Sequence, residues 1–386
     1  EGLYPGDYLI RLGQTLAEKY EDKLKFCPEE DWLNIIREFS VAEMMVLIRN
    51  DLAALGIEHN VYVSEQRIHK EDRIKDSIKT LEDQGLVYWG VLEPPKGQKN
   101  EKWEEREQYL FRSTEFGDDV DRPLKKSDGS WTYFAADVGY HADKFRRGFA
   151  EMLNVWGADH KGYIKRMEAA VKAVTNGEGN LRVQICNLVN LLENGEPVRM
   201  SKRSGSFVTL RDVVDKVGKD AVRFMMLTRS SDAPLDFDLQ QVLEQSRDNP
   251  VYYVQYAHAR AFSVLRNAQA VFPGILVDDV SLAAADMSLL DDNAELALIK
   301  ILAGWPRVVE VAASAREPHR VAHFLSEVAS EFHSLWNKGN ENLALRFIVT
   351  GSEETTRARL ALVRATALVI ASGLEIMGVK PVEEMH

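Results

Sequence analysis

Hydrophobic residues along this chain repeat with two different periods, and the places where one gives way to the other mark its organisation. The C-terminal third steps by three and four. Leu360, Val363, Ala367, Ile370, Leu374 and Met377 form one apolar stripe that Gly378 ends, the pattern of a core-facing helix. The same spacing predicts helices over residues 251–268, over 289–315 with a break at Trp305-Pro306, and over 318–336. Together they read as a four- or five-helix bundle whose stripes form its core. At the other end a short turn over 4–8 leads into an amphipathic helix reaching Tyr20, and a longer helix is predicted over 32–55, stopped by Gly56.

Between these helical ends the period shortens. Residues 57–63 alternate as a strand does, and 68–84 predict a charged helix stopped by Gly85. Residues 86–89 and 109–112 predict the arms of a hairpin, joined by a polar loop around 94–97 that is expected to be mobile. A turn at 127–130 opens a helical stretch over 131–145. The apolar run 152–156 suits a parallel strand, Gly157-Ala158-Asp159-His160 follows it, and a helix is predicted over 163–174. Residues 181–192 repeat the strand pattern and turn at Glu193-Asn194-Gly195. Strand, helix and strand with short connections make half of a doubly wound nucleotide fold, with the polar connections on one rim of the sheet. One helix is then expected over 210–228, with Val213, Val217, Ala221 and Phe224 on one side, followed by a loop and an acidic segment, Asp236-Phe237-Asp238.

Composition narrows the class. The 386 residues, 45% of them hydrophobic, can bury the cores of two or three domains. No run reaches the roughly 18 apolar residues of a membrane span, and residues 1–7 lack a signal pattern, so a cytoplasmic protein is expected. Two cysteines far apart, Cys27 and Cys186, argue against a disulfide scaffold and against a zinc site built on Cys pairs. A net charge of −12 argues against indiscriminate binding to nucleic acid but leaves room for a local basic face.

Candidate chemistry concentrates in four places. Arg199-Met200-Ser201-Lys202-Arg203-Ser204-Gly205 is a short basic loop, either a solvated turn or a cradle for phosphate oxygens; its place behind the strand–helix–strand pattern favours a phosphate contact for Lys202. Tyr133 and Asp137 stand four apart and share a helix face, where a phenol and a carboxylate can bracket a cation or simply bond to their surroundings. Gly157 and Asp159 follow a predicted parallel strand, where an acid can accept from ribose hydroxyls. Tyr253, Tyr256 and Arg260 offer aromatic and cationic groups that can stack on unpaired bases or pack a domain junction.

Read in order, Thr132-Tyr133-x-x-x-Asp137-Val138, Val155-Trp156-Gly157-Ala158-Asp159-His160, Met200-Ser201-Lys202-Arg203-Ser204-Gly205-x-Phe207-Val208-Thr209-Leu210 and Asp248-Asn249-Pro250-Val251-Tyr252-Tyr253-Val254-Gln255-Tyr256-Ala257-His258-Ala259-Arg260 resemble the bacterial arginyl-tRNA synthetases. The resemblance runs from Gly2 to Met385 and implies an α/β plus all-α protein. Residues 1–209 would be part of a class I, Rossmann-type catalytic domain, with 1–127 an insertion and its flanks and 128–209 the second half of the nucleotide fold. Residues 210–248 would be a stem-contact segment and 249–386 a helical-bundle anticodon-binding domain. By the same resemblance, Tyr133, Asp137 and His160 would line an arginine pocket, His160 standing where some relatives carry Gln. Gly157, Asp159, Met200 and Lys202 would hold ATP, which would come with Mg²⁺ as substrate, with no tightly bound cofactor and no protein-built metal site. Lys202, Ser201 and Arg199 would serve the chemical step, Arg199 replacing the more usual lysine. Tyr253, Tyr256, Arg260, Phe332, Trp336 and Met385 would meet the anticodon loop, although His386 extends the usual ending.

The implied activity is ATP-dependent activation of arginine to arginyl-adenylate and its transfer to arginine-specific tRNA, by a monomer and away from membranes. Class I synthetases also carry a His-x-Gly-His motif, which none of the nine histidines forms. The chain is therefore expected to be a C-terminal fragment, inactive or nearly so by itself. The competing reading is a non-catalytic tRNA-binding protein derived from a synthetase.

Overall fold

The computed structural model describes residues 6, 8–92, 106–198, 208–246 and 248–385. The loop expected around 94–97 and the basic loop 199–205 lie outside the described residues. Contacts divide the chain into two compact units: residues 1–58, 189–230 and 234–386 form one, and residues 59–188 and 231–233 the other.

The first unit opens with two helices, α1 (Tyr8–Tyr20) and α2 (Glu29–Ala54). The strand expected over 57–63 does not form: no described strand stands beside it, Val61 is exposed and Ile57 only half-buried. Alternation specifies a strand only when a neighbour accepts its hydrogen bonds.

In the second unit the charged helix expected over 68–84 is broken into α3 (Glu65–Lys70) and α4 (Arg73–Asp83) by Asp72, which takes a left-handed φ of 54°. The predicted hairpin is present as β1 (Val87–Gly90) and β2 (Gln108–Phe111), antiparallel with Tyr88 opposite Leu110, and β3 (Arg122–Pro123) extends it. Helix α5 (Tyr133–Arg146) starts at Thr132, whose side chain accepts from the Ala135 amide. Strand β4 (Glu151–Gly157), helix α6 (Ile164–Val174) and strand β5 (Asn180–Cys186) form the expected parallel unit, in register from Glu151 opposite Asn180 to Gly157 opposite Cys186. Ile74, Ile78, Leu81, Phe111, Phe134, Val138, Met167 and Val171 build the core on which these elements close.

The run 181–192 is not one strand. It breaks at Asn187, whose amide donates to the Ser231 carbonyl and whose side-chain nitrogen donates to the Asp232 carbonyl. The second half becomes β6 (Val189–Glu193) of the first unit, beside β7 (Glu196–Pro197). The helix expected over 210–228 is likewise two, α7 (Leu210–Val217) and α8 (Lys219–Met226), parted by Gly218 at φ 84°. The acidic segment is strand β8 (Leu235–Asp238), parallel to β6, with Phe237 fully buried and Asp238 capping α9 (Leu239–Leu243).

The bundle follows as α10 (Pro250–Val271), α11 (Asp279–Ala283), α12 (Asn293–Ala303), α13 (Trp305–Ala315), α14 (His319–Glu341) and α15 (Glu353–Ile376). The stripe from Leu360 to Met377 is buried along its whole length, against Val254, Ala261, Leu325 and Val328 among others. A Cβ on Gly373 would meet the Leu325 side chain at 2.6 Å, so α14 and α15 approach closely at that point. The fold is mixed, a sheet-and-helix part followed by a helical bundle. Among the described residues no helix is long and apolar enough to cross a membrane.

Candidate functional site

The second unit gathers its candidates on α5 and at the carboxyl end of β4. Tyr133 is the first residue of α5 and 77% exposed, with the Lys126 ammonium 5.3 Å from its ring centre. One turn on, Asp137 is half-buried. Its Oδ2 accepts from the Tyr163 hydroxyl at 2.9 Å, and Oδ1 has no hydrogen-bond partner among the described residues. Burial raises its pKa above the ordinary carboxylate value despite the Tyr163 bond, which lowers it. Tyr163 in turn is pushed well up, by burial and by the Asp137 charge. No cation forms an ion pair with Asp137 among the described residues.

Gly157, the last residue of β4, leaves room where a Cβ would lie 2.7 Å from Asp159 Oδ1. Asp159 and His160 occupy the short 3₁₀ turn that follows, both exposed, with His160 Nε2 3.6 Å from Asp159 Oδ2. The Trp156 ring lies 6.2 Å from His160 and 5.8 Å from Tyr163. On the buried side of α5, the His141 ring bonds the Asp137 carbonyl at 2.7 Å and the Asn154 amide at 2.8 Å, and Lys144 donates to Asn154 at 3.0 Å. Burial drops the His141 pKa to about 4, so the ring is neutral. Thus Asp137 and His160 share the neighbourhood of Tyr163 and Trp156, while Tyr133 stands exposed one turn before Asp137 on α5. Arg199, Met200, Ser201 and Lys202 lie outside the described residues.

The first unit carries the aromatic and cationic face. The Arg260 guanidinium lies 4.4 Å from the Tyr256 ring centre and 5.0 Å from that of Trp336. Arg260 NH2 donates to the Tyr256 hydroxyl at 2.8 Å, and NH1 donates to His333 Nδ1 at 2.8 Å. An accepting Nδ1 leaves the ring proton on Nε2, 3.4 Å from the Tyr253 carbonyl. Burial, followed by the Arg260 charge, lowers the His333 pKa to about 4. Neutral His333 therefore aims Arg260, a role without a local sequence signal. Tyr252 and Tyr256 stack at 5.8 Å.

Met385 joins Tyr256, Arg260 and Trp336 around a cavity of about 360 Å³. Its segment is tied to α10 by Gln255 to the Lys380 carbonyl, His258 to the Val382 carbonyl and Arg266 to the Glu383 carbonyl. Phe332 is fully buried and stacks on Phe347 at 5.5 Å, beneath this face and not on it.

Residues 254–385 match the DALR anticodon binding domain. The chain is 59% identical over its full length to the arginine–tRNA ligase of Xanthobacter autotrophicus, covering 66% of that protein, and 58% identical over 99% of its length to that of Rhodospirillum rubrum, covering 65%. A Campylobacter jejuni structure assigned as an arginyl-tRNA synthetase superposes with a TM-score of 0.82 at 31% identity, with 100% of this chain and 77% of that one covered. The fold is thus that of an aminoacyl-tRNA synthetase. The chain belongs to the arginyl-tRNA synthetase family. It spans 65–66% of the length of these two curated relatives.

Proposed function

We propose that the protein joins arginine to arginine-specific tRNA in two steps: ATP-dependent formation of arginyl-adenylate, and transfer of arginine to the tRNA. The observation that carries this reading is the Asp137 carboxylate, half-buried, held at one oxygen by Tyr163 and paired with no cation among the described residues. A guanidinium presents N–H donors in a planar fork that a carboxylate accepts with defined geometry, so such a group selects arginine over lysine by shape as well as charge. Tyr133 and His160 complete the arginine pocket, and Gly157, Asp159 and Met200 hold the nucleoside. ATP enters as its Mg²⁺ complex. Arg199, Ser201 and Lys202 steady the phosphates while the arginine carboxylate attacks the α-phosphorus and pyrophosphate leaves, a charge-stabilising role that moves no proton.

In the same reading residues 1–209 are catalytic, 210–248 contact the tRNA stem, and 249–386 bind the anticodon through Tyr253, Tyr256, Arg260, Trp336 and Met385, with Phe332 as support. The protein works as a cytoplasmic monomer.

Calorimetric titration with arginine and lysine tests the pocket. Arginine is expected to bind and lysine to bind far more weakly, and Asp137→Asn is expected to lose most of the arginine affinity; unchanged affinity removes Asp137 from the pocket. In a catalytically complete protein that carries the His-x-Gly-His segment, Lys202→Ala is expected to slow adenylate formation about 10²- to 10³-fold with little change in arginine binding. An unaltered pyrophosphate-exchange rate would exclude Lys202 as the phosphate clamp.

A further inference from the structure

Trp336 lines two cavities. One is the cavity shared with Tyr256, Arg260 and Met385. The other, about 340 Å³, contains none of the residues expected from the sequence apart from Trp336 itself; it is floored by Val264, Gly339 and Phe347 and rimmed by Asn267, Asn340 and Thr350. That volume is at the lower end of the range for sites that enclose a small planar molecule, roughly 300–1,000 Å³.

Its far wall is a loop, residues 342–350, that is unusually well tied down. Arg359, 6% exposed on α15, donates through NH1 to the carbonyls of Ala344 at 2.6 Å and Arg346 at 2.7 Å. Its Nε is fixed by Glu295 at 2.6 Å, itself 1% exposed. At the other end, fully buried Thr356 accepts from the Val349 amide at 2.9 Å and donates to the Val349 carbonyl at 3.2 Å. Arg346 Nε donates to the Gly339 carbonyl, and a Cβ on Gly339 would sit 3.0 Å from the Leu345 carbonyl oxygen, so loop and helix approach tightly and a side chain there would push the loop away by a few tenths of an ångström. The wall is thus set before any ligand arrives, which reduces the entropy lost on binding.

The lining chemistry names the ligand. Trp336 and Phe347 offer aromatic surface, with centroids 6.1 Å apart. The side-chain amides of Asn267 and Asn340 have no hydrogen-bond partner among the described residues, and both are exposed at the rim. An amide supplies a donor and an acceptor side by side, the complement of a base edge, and a base face stacks on an aromatic ring. The terminal nitrogens of exposed Arg346 also lack partners among the described residues, so they can meet a phosphate.

We infer that this cavity takes one unstacked nucleobase of the single-stranded loop whose neighbouring base occupies the Tyr256–Arg260 cavity, Trp336 standing between two adjoining base sites; this rests on the anticodon-binding reading above. The test uses an anticodon stem-loop RNA of arginine-specific tRNA and versions of it made abasic at one anticodon-loop nucleotide at a time. Asn267→Trp and Thr350→Trp, both at exposed rim positions, fill the cavity mouth, and Tyr256→Ala probes the first cavity. Each filling variant is expected to bind the intact stem-loop about 10-fold more weakly than the parent. That loss should vanish for one abasic version, at a nucleotide different from the one that cancels the effect of Tyr256→Ala. If both filling variants bind every RNA as the parent does while Tyr256→Ala is impaired, the second base site is refuted and the anticodon reading stands. A loss that persists equally in every abasic version also refutes it. If Tyr256→Ala and the filling variants all bind like the parent, the anticodon reading itself fails.

Discussion

Two arginines of the bundle differ in what surrounds them. Arg359 is buried with Glu295 at its Nε and donates through NH1 to two backbone carbonyls, so its charge is neutralised within the fold. Arg260 touches no carboxylate among the described residues; a neutral imidazole, a phenol and two ring faces hold it, so its charge remains available. The second unit repeats the contrast with acids. Asp118 accepts from Arg122 through both oxygens, at 2.6 and 2.7 Å, and its pKa is lowered even against burial. Asp137 is held by a neutral phenol, and its pKa is raised. Groups whose charge is cancelled brace the structure; in the function proposed above, the groups aimed by neutral partners are the ones that meet a ligand.

The strongest way to break that distinction is through Glu295. Glu295→Ala leaves Arg359 charged and buried, and a loss of about 3–5 kcal/mol in chemical denaturation is expected. Glu295→Met combined with Arg359→Met should recover much of this, because two apolar side chains carry no desolvation cost. A double variant no more stable than the single one would mean that the loop carbonyls, not the ion pair, are what Arg359 serves.

Arg260→Met is the matched experiment at the other arginine. Stability is expected to change by less than about 1 kcal/mol, since the lost contacts are partly exposed. Binding of arginine-specific tRNA should weaken about 10-fold, measured at fixed salt. A large stability loss with intact tRNA binding would place Arg260 among the braces.

How much of this was legible in the sequence depends on the range of the forces involved. The stripe from Leu360 to Met377 and the β4–α6–β5 unit follow from period alone, and both are present. Where a boundary depends on a distant partner, the pattern misleads: residues 57–63 alternate without a neighbouring strand, and 181–192 is cut at Asn187 by bonds to residues over 40 positions away. The motif residues Tyr133, Asp137, Tyr256 and Arg260 could be named from spacing. The groups that aim them, Tyr163 and His333, lie 26 and 73 residues from their partners and carry no local signal. Arg359 did carry one, a charge beside Leu360 at the start of a regular apolar stripe, where a buried ion pair is the usual explanation.

The smallest effect expected is also the most discriminating, because its sign is unusual. Asp137 has a folded pKa raised by burial, so at neutral pH its charge opposes folding; whatever stability its protonation contributes is full below the unfolded carboxylate pKa and is lost as pH rises through the folded value. Asp137→Asn should therefore stabilise the ligand-free protein at pH 7, by a few tenths to about 1 kcal/mol, and should flatten that part of its stability profile on the acid side of neutrality. Asp118→Asn, whose parent carboxylate has a lowered pKa, should destabilise at pH 7, and the difference should shrink as pH falls through the folded pKa. Opposite signs for two aspartates in one unit, read from denaturation curves at several pH values, would follow if Asp118 braces the fold and Asp137 is strained in favour of a cationic ligand. Equal losses would mean that Asp137 is another brace, and the arginine pocket would have to be sought elsewhere.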